Sequence, residues 1–147
     1  MITSQEGLNI IEAFEGFKPN PYLCPAGVPT IGIGSTHYAD GRAVKLTDVP
    51  ITLADGWALL RATIRPYEAA ISRFVQVPLT QNQFDALVSF TYNVGTEAFR
   101  TSTMLGLLNA KDYRGASGEF KRFCHCNGKE DYGLLKRRNK EALLFMR

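Results

Sequence analysis

Glu15, Cys24 and Thr30 place a carboxylic acid, a thiol and a hydroxyl in one short stretch, with eight residues and then five between them. Tyr22 adds a phenol beside the thiol, and the whole stretch reads EGFKPNPYLCPAGVPTIGIGST. Such a set can donate a proton, hold a water in line and attack or deprotonate. Cleavage of a glycosidic bond asks for these parts: an acid at the leaving oxygen and a group that attacks or supports the cationic sugar carbon. Glu15 suits the donor and Thr30 the holder of a water. Only a few per cent of an ordinary thiol is thiolate at neutral pH. Cys24 is therefore open between a base that activates water with inversion, a covalent nucleophile giving retention, a near-spectator, and a structural cysteine.

The elements that must position these groups follow from the pattern around them. Leu8, Ile11 and Phe14 step at helical spacing, so a helix is expected from Thr3 or Ser4 to Gly16, started by a Thr3–Glu6 capping box. Glu15 then closes the helix beside its apolar stripe. Prolines 19, 21 and 25 and Gly27 exclude helix from 19 to 29. VPTIGI (28–33) is β-prone, and Thr36–Tyr38 with Ala43–Val44 reads as a returning strand around Asp40–Gly41, giving a two- or three-stranded antiparallel sheet. Gly32 and Gly34 strip one face of side chains, which fits either close approach by a ligand or a simple bend.

A long helix comes next. Trp57, Leu60, Ile64, Tyr67, Ile71 and Phe74 form one stripe, with Thr52 and Asp55 at its start and Pro66 kinking it. Thr80 and Gln83 form another capping box, and Asn93–Val94–Gly95 ends that helix. Helices are expected at 96–100, 103–110, 112–123 and 133–145, the last after a Cys124–His125–Cys126–Asn127–Gly128 turn. The fold class is therefore α+β: a small antiparallel β-sheet lobe joined by a long helix to a mainly helical lobe, in a single domain over 1–147.

Composition narrows the function classes. The chain has 147 residues, 45% hydrophobic and 21% charged, as a globular protein does. No apolar run reaches the ~18 residues of a membrane span, so stable membrane insertion is not expected. MITSQEGLNI lacks the features of a signal peptide, which points to the cytoplasm. Net charge is +3; the surplus gathers at Lys136, Arg137, Arg138 and Lys140 and favours an anionic partner. Nothing matches a nucleic-acid motif. Three cysteines without an export signal argue against a disulfide framework, and Cys124–His125–Cys126 has no second ligand cluster, so neither metal nor cofactor is expected.

Glu15, Cys24 and Thr30 at this spacing, together with PTIGIGST, QNQFDALVSFTYNVG, STMLGLLNAKDY and GLLKRRN in that order, resemble the phage-type lysozymes, the muramidase endolysins of tailed bacteriophages. The resemblance covers essentially the whole length and implies a lysozyme-like fold. It implies hydrolysis of the β-1,4 bond between N-acetylmuramic acid and N-acetylglucosamine in peptidoglycan, with Glu15 as general acid, Cys24 where many relatives carry Asp, and Thr30 positioning water. Tyr22, Gly32, Ser35 and Asn93 are assigned to substrate binding, although Ser35 stands where many members have His. Phe123 stands where relatives often have Trp. Arg137 or Arg138 is expected to support Glu15 from the last helix; the alternative is that both are solvated. A monomer is expected, held in the host cytoplasm until a separate holin releases it to the periplasm and wall. The rival readings are a lytic transglycosylase, suggested by Cys24 in place of a second carboxylate, and a non-catalytic wall-binding module.

Overall fold

The computed structural model describes residues 1–147. The chain divides into two compact units, one of residues Asn9–Pro66 and one of Met1–Leu8 with Tyr67–Arg147.

The first unit holds the end of α1 (Gln5–Glu15), strands β1 (Lys18–Leu23) and β2 (Pro29–Gly32), and the start of α2 (Leu53–Phe74). Helix α1 ends when Gly16, at φ 71°, accepts the left-handed conformation that a Cβ would disfavour. Phe17 then lies on α2 at Gly56, where a Cβ would come 2.7 Å from its ring. Strands β1 and β2 pair antiparallel with Lys18 opposite Gly32, Tyr22 opposite Thr30 and Leu23 opposite Pro29, and the register shifts between Lys18 and Tyr22. Here the sheet differs from the sequence expectation. The strand partner of 29–32 comes from the proline-bearing segment upstream; Ser35 makes only a single bridge to Ile31, and residues 36–44 only one among themselves, His37 to Ala43. Pro19 and Pro21 are tolerated because β1 has β2 on one side only and the ladder is bulged where they fall. Ile31, Val44 and Leu59 form the core beneath, with Tyr38 and Ile51 packed against it.

Helix α2 starts from a reciprocal cap: Asp55 N–H donates to Thr52 Oγ1 at 3.1 Å and Thr52 N–H to Asp55 Oδ2 at 3.2 Å. It passes Pro66 without interruption.

The second unit is helical. It contains α3 (Gln81–Val94), α4 (Thr96–Arg100), α5 (Thr103–Asn109), α6 (Tyr113–Gly118), a 3₁₀ turn (Phe120–Arg122), a hairpin of β3 (His125–Cys126) and β4 (Lys129–Glu130), and α7 (Tyr132–Met146). Thr80 and Gln83 close the expected capping box on α3. The helix expected over 112–123 is shorter, because it passes into the 3₁₀ turn after Gly118. The Cys–His–Cys–Asn–Gly segment is a hairpin, with Asn127 at φ 53° and Gly128 at φ 76° making its two-residue turn. Phe90 lies edge-on to Phe120 at 5.3 Å and to Phe123 at 4.9 Å, and Phe120 to Phe145 at 5.7 Å.

The chain's first residues belong to this helical unit. The expected Thr3–Glu6 box is replaced by partners distant in sequence. Thr3 donates its N–H and hydroxyl to Glu68 Oε1, at 2.7 and 2.6 Å. Ser4 donates its N–H to Asp85 Oδ1 at 3.0 Å and its hydroxyl to Asp85 Oδ2. A buried carboxylate of α3 thus serves the open amide end of α1, and Glu6 pairs with Arg147 at 2.6 Å.

Candidate active site

Four of the sequence-selected groups, Glu15, Tyr22, Cys24 and Thr30, lie in the Asn9–Pro66 unit. Glu15 is the last residue of α1 and is half-buried. Tyr22 and Thr30 face each other across β1–β2, and the Lys18 ammonium sits 4.0 Å from the centre of the Tyr22 ring. Burial raises the Tyr22 phenol above its ordinary range, and the negative charges of Glu15 and Cys24 raise it further. The phenol, carboxylate and thiol therefore share one electrostatic neighbourhood.

Cys24 opens a tight turn in which its N–H donates to Val28 O at 3.1 Å and its carbonyl accepts from Gly27 N at 2.8 Å. Folding the chain this way turns backbone N–H groups towards the sulfur. The Val28 amide lowers the thiol pKa, the partial burial opposes it, and the Ala26 amide and Thr30 hydroxyl add to the lowering. The largest of these influences is a backbone amide, not a neighbouring charged side chain.

Thr30 is 2% exposed, and its hydroxyl donates to Val28 O at 2.8 Å. A hydroxyl has one proton to give. Turning it from Val28 O to Cys24 Sγ stabilises the thiolate, and leaving it on Val28 O keeps the oxygen lone pairs available to a water.

Gly32 and Ser35 lie in the same unit but are directed inward. Gly32, at φ 68°, is buried, and a Cβ there would come 3.3 Å from Ile51 Cδ1 and 3.7 Å from Gly56 Cα. Its bare face is used to pack the strand on α2. Ser35 is fully buried, with its Oγ 2.8 Å from Thr63 Oγ1, which itself donates to Leu59 O at 2.8 Å. The Ser35 hydroxyl is therefore not presented to a ligand, and its sequence assignment as a substrate contact is corrected. Thr63 was missed because only the fold brings it to Ser35.

Asn93, Arg137 and Arg138 belong to the helical unit. Asn93 is exposed and lines a surface recess of about 380 Å³ with Val94, Arg122, Phe123, His125 and Leu134. Arg122 was not singled out from the sequence, and His125 was weighed only as a metal ligand, because the 3₁₀ turn and the hairpin that present them carry no periodic signal. The two arginines are not solvated. Arg137 is 4% exposed and Arg138 fully buried. Arg137 Nε lies 3.1 Å from Glu141 Oε1 and its Nη2 donates to Ser89 O at 3.0 Å. Arg138 Nε lies 2.8 Å from Glu141 Oε2, and its guanidinium stands 5.0 Å from the centre of the Phe90 ring. Ser89 Oγ donates to Glu141 Oε1 at 2.7 Å. Glu141 was legible in principle, lying three and four residues after the arginines in one helix.

A short antiparallel sheet with an acid at the end of the preceding helix, joined by a long helix to a helical lobe, defines the lysozyme-like class. The phage lysozyme family model matches residues 12–141. The chain belongs to that family, and it is an enzyme, a glycosidase that acts on the cell wall. An endolysin of Acyrthosiphon pisum secondary endosymbiont phage 1 is 42% identical over 149 residues, covering 99% of this chain and 98% of its own. Among solved structures, a mutant of P22 lysozyme superposes with a TM-score of 0.90 at 37% identity, over 100% of this chain and 99% of that one. The muramidase domain of SpmX from Asticaccaulis excentricus gives 0.85 at 35% identity, over 98% and 97%.

Proposed function

We propose that residues 1–147 act as one catalytic domain that hydrolyses the β-1,4 bond between N-acetylmuramic acid and N-acetylglucosamine, with Glu15, Cys24 and Thr30 as its working groups. The observation that carries this reading is the shared neighbourhood of Glu15, Tyr22, Cys24 and Thr30 in one small unit. Glu15 protonates the leaving oxygen as the sugar carbon becomes cationic. Thr30 holds a water against that carbon, and the Cys24 thiolate takes the water's proton as the new C–O bond forms. Backbone amides raise the thiolate fraction at neutral pH, bringing the base towards the pKa at which general-base catalysis works best. In this unit Tyr22 contacts the glycan; within the helical unit Asn93 is the glycan contact, and Arg137 and Arg138 brace that unit through the buried network with Glu141 and Ser89.

The substitution Glu15→Gln keeps shape and hydrogen bonding but has no proton to give. Clearing of permeabilised Gram-negative cells is expected to fall at least ~100-fold, and clearing at the original rate overturns the assignment. Cys24, standing where a second carboxylate would be expected, keeps a transglycosylase outcome in play. Its anhydro product is one water lighter, and mass spectrometry of the released fragments separates the two reactions.

No helix is long and apolar enough to cross a membrane. We further infer a monomer that waits behind the inner membrane of the host and reaches the wall when a separate holin permeabilises that membrane. Lysis on schedule in a holin-deficient host overturns that dependence.

A further inference from the structure

Helix α7 turns its buried side, with Arg137, Arg138, Glu141, Leu144 and Phe145, into the helical unit. Its opposite face is unusual in composition. At 3.6 residues per turn, Tyr132, Lys136, Asn139, Lys140, Leu143, Met146 and Arg147 fall within about one third of the circumference, with Asn139 the one uncharged polar side chain among them. Tyr132 is 80% exposed, Leu143 74% and Met146 55%. They form an apolar edge running alongside a basic edge of Lys136, Lys140 and Arg147. The helix has a single carboxylate of its own, Glu141, on the buried side, and Asp131 is occupied in capping the first turn. Arg147 is paired with Glu6; neither Lys136 nor Lys140 has an ion pair.

We propose that this outward face of α7 docks on the surface of a bilayer containing anionic phospholipid. A hydrophilic anionic polymer would satisfy the lysines and gain nothing from Leu143 and Met146. An apolar protein groove would cover the apolar edge and leave the lysines desolvated. A lipid interface meets both demands. The acyl boundary receives Leu143, Met146 and the Tyr132 ring, and the lysine stems lie along it with their ammonium groups at the phosphates. The face spans about 22 Å for 15 residues, long enough to lie across several headgroups. The attachment is peripheral and reversible.

Co-sedimentation of the full-length protein with vesicles tests this, using phosphatidylcholine alone and phosphatidylcholine mixed with phosphatidylglycerol. Binding is expected to the mixed vesicles only, and to weaken with added salt. The double substitution Lys136→Gln with Lys140→Gln is expected to lower the partition coefficient about 10- to 30-fold. Leu143→Ser, which changes no charge, is expected to lower it several-fold. Glu15→Gln should bind as the parent does, which separates this result from the catalytic assignment. Equal binding to both vesicle types overturns the proposal, as does failure to bind the mixed vesicles. Parental binding by Leu143→Ser, with its melting temperature unchanged, also overturns it, because the apolar edge then does not enter the interface.

Discussion

Tyr22 and Thr30 are direct cross-strand neighbours on β1–β2, although one precedes the Cys24 turn and the other follows it. The pairing closes the turn, and the closed turn brings the amide of Val28 to the sulfur of Cys24. The state of the thiol is thus set by strand register. A slip of one residue would send Thr30 to the other face of the sheet and away from the thiol.

Cys24 should consequently react as a low-pKa thiol. The amides of the turn lower its pKa, so thiolate forms at lower pH than in free cysteine, whose pKa is ~8.5. Iodoacetamide alkylation of this cysteine, followed by peptide mass spectrometry across pH, should show its midpoint below that of an unstructured cysteine peptide alkylated alongside. Thr30→Val removes a hydroxyl that favours the thiolate and should move the midpoint up. Loss of a hydrogen bond to a charged group costs about 1.5–3 kcal/mol, so turnover should fall by roughly one to two orders of magnitude. An unmoved midpoint in Thr30→Val separates the hydroxyl from the thiol.

The role of Cys24 is tested by exchanging its chemistry. If the thiolate is a base, Cys24→Asp keeps a base in place and should retain turnover, whereas Cys24→Ala should lose ~100-fold or more. Full turnover by Cys24→Ala, with the substitution verified by mass, would remove this side chain from the mechanism.

Much of the positioning was legible because it is local. The Thr80–Gln83 box, the Thr52–Asp55 cap and the stripe through Pro66 use residues three or four apart, and each formed as the pattern requires. The strand partner of 29–32 was not legible, since Pro19 and Pro21 argue against a strand and only the one-sided, bulged ladder explains their presence. Glu15, Cys24 and Thr30 were singled out by residue type and spacing. The amide that tunes Cys24 was not, because a backbone N–H belongs to every residue but proline. Arg137 and Arg138 were expected to support Glu15 or else to be solvated; their burial around Glu141 and Ser89 was not foreseen, because Ser89 is brought to them only by the fold.

That buried network makes a stability prediction. Glu141 is fully buried and serves two guanidiniums and the Ser89 hydroxyl. Glu141→Gln leaves both positive charges in place with one neutral amide between them. Breaking a buried ion pair from one side costs about 3–5 kcal/mol, and at about 2–4 °C per kcal/mol the melting temperature should drop by roughly 6–20 °C. A loss of a degree or two by calorimetry means that water reaches the guanidiniums.

Thr91 should respond in the opposite direction. Its Oγ1 is buried without a hydrogen-bond partner, so folding desolvates the hydroxyl and returns nothing. Thr91→Val keeps the shape and removes the polar atom, which should stabilise the protein by about 1 kcal/mol. A fall in melting temperature would reveal a buried water bonded to this hydroxyl.

Gly7 gives the sharpest separation of local propensity from packing. It lies inside α1, where replacing glycine with alanine ordinarily gains ~1 kcal/mol. The site is closed, however. A Cβ on Gly7 would come 2.6 Å from Thr3 Cγ2 and 2.8 Å from Asp85 Cγ. Neither neighbour can swing aside cheaply. Thr3 is tied to Glu68, and Asp85 is held by Ser4 and by Gln81 Nε2 at 2.8 Å. The methyl group must displace the carboxylate that receives the first amides of α1, and overpacking of this kind costs about 1–3 kcal/mol. Gly7→Ala should therefore lower the melting temperature despite its better helix propensity, with faster hydrogen exchange at the amides of Thr3 and Ser4. An unchanged or raised melting temperature would mean that the start of α1 is free to shift, and that Asp85 does not fix it.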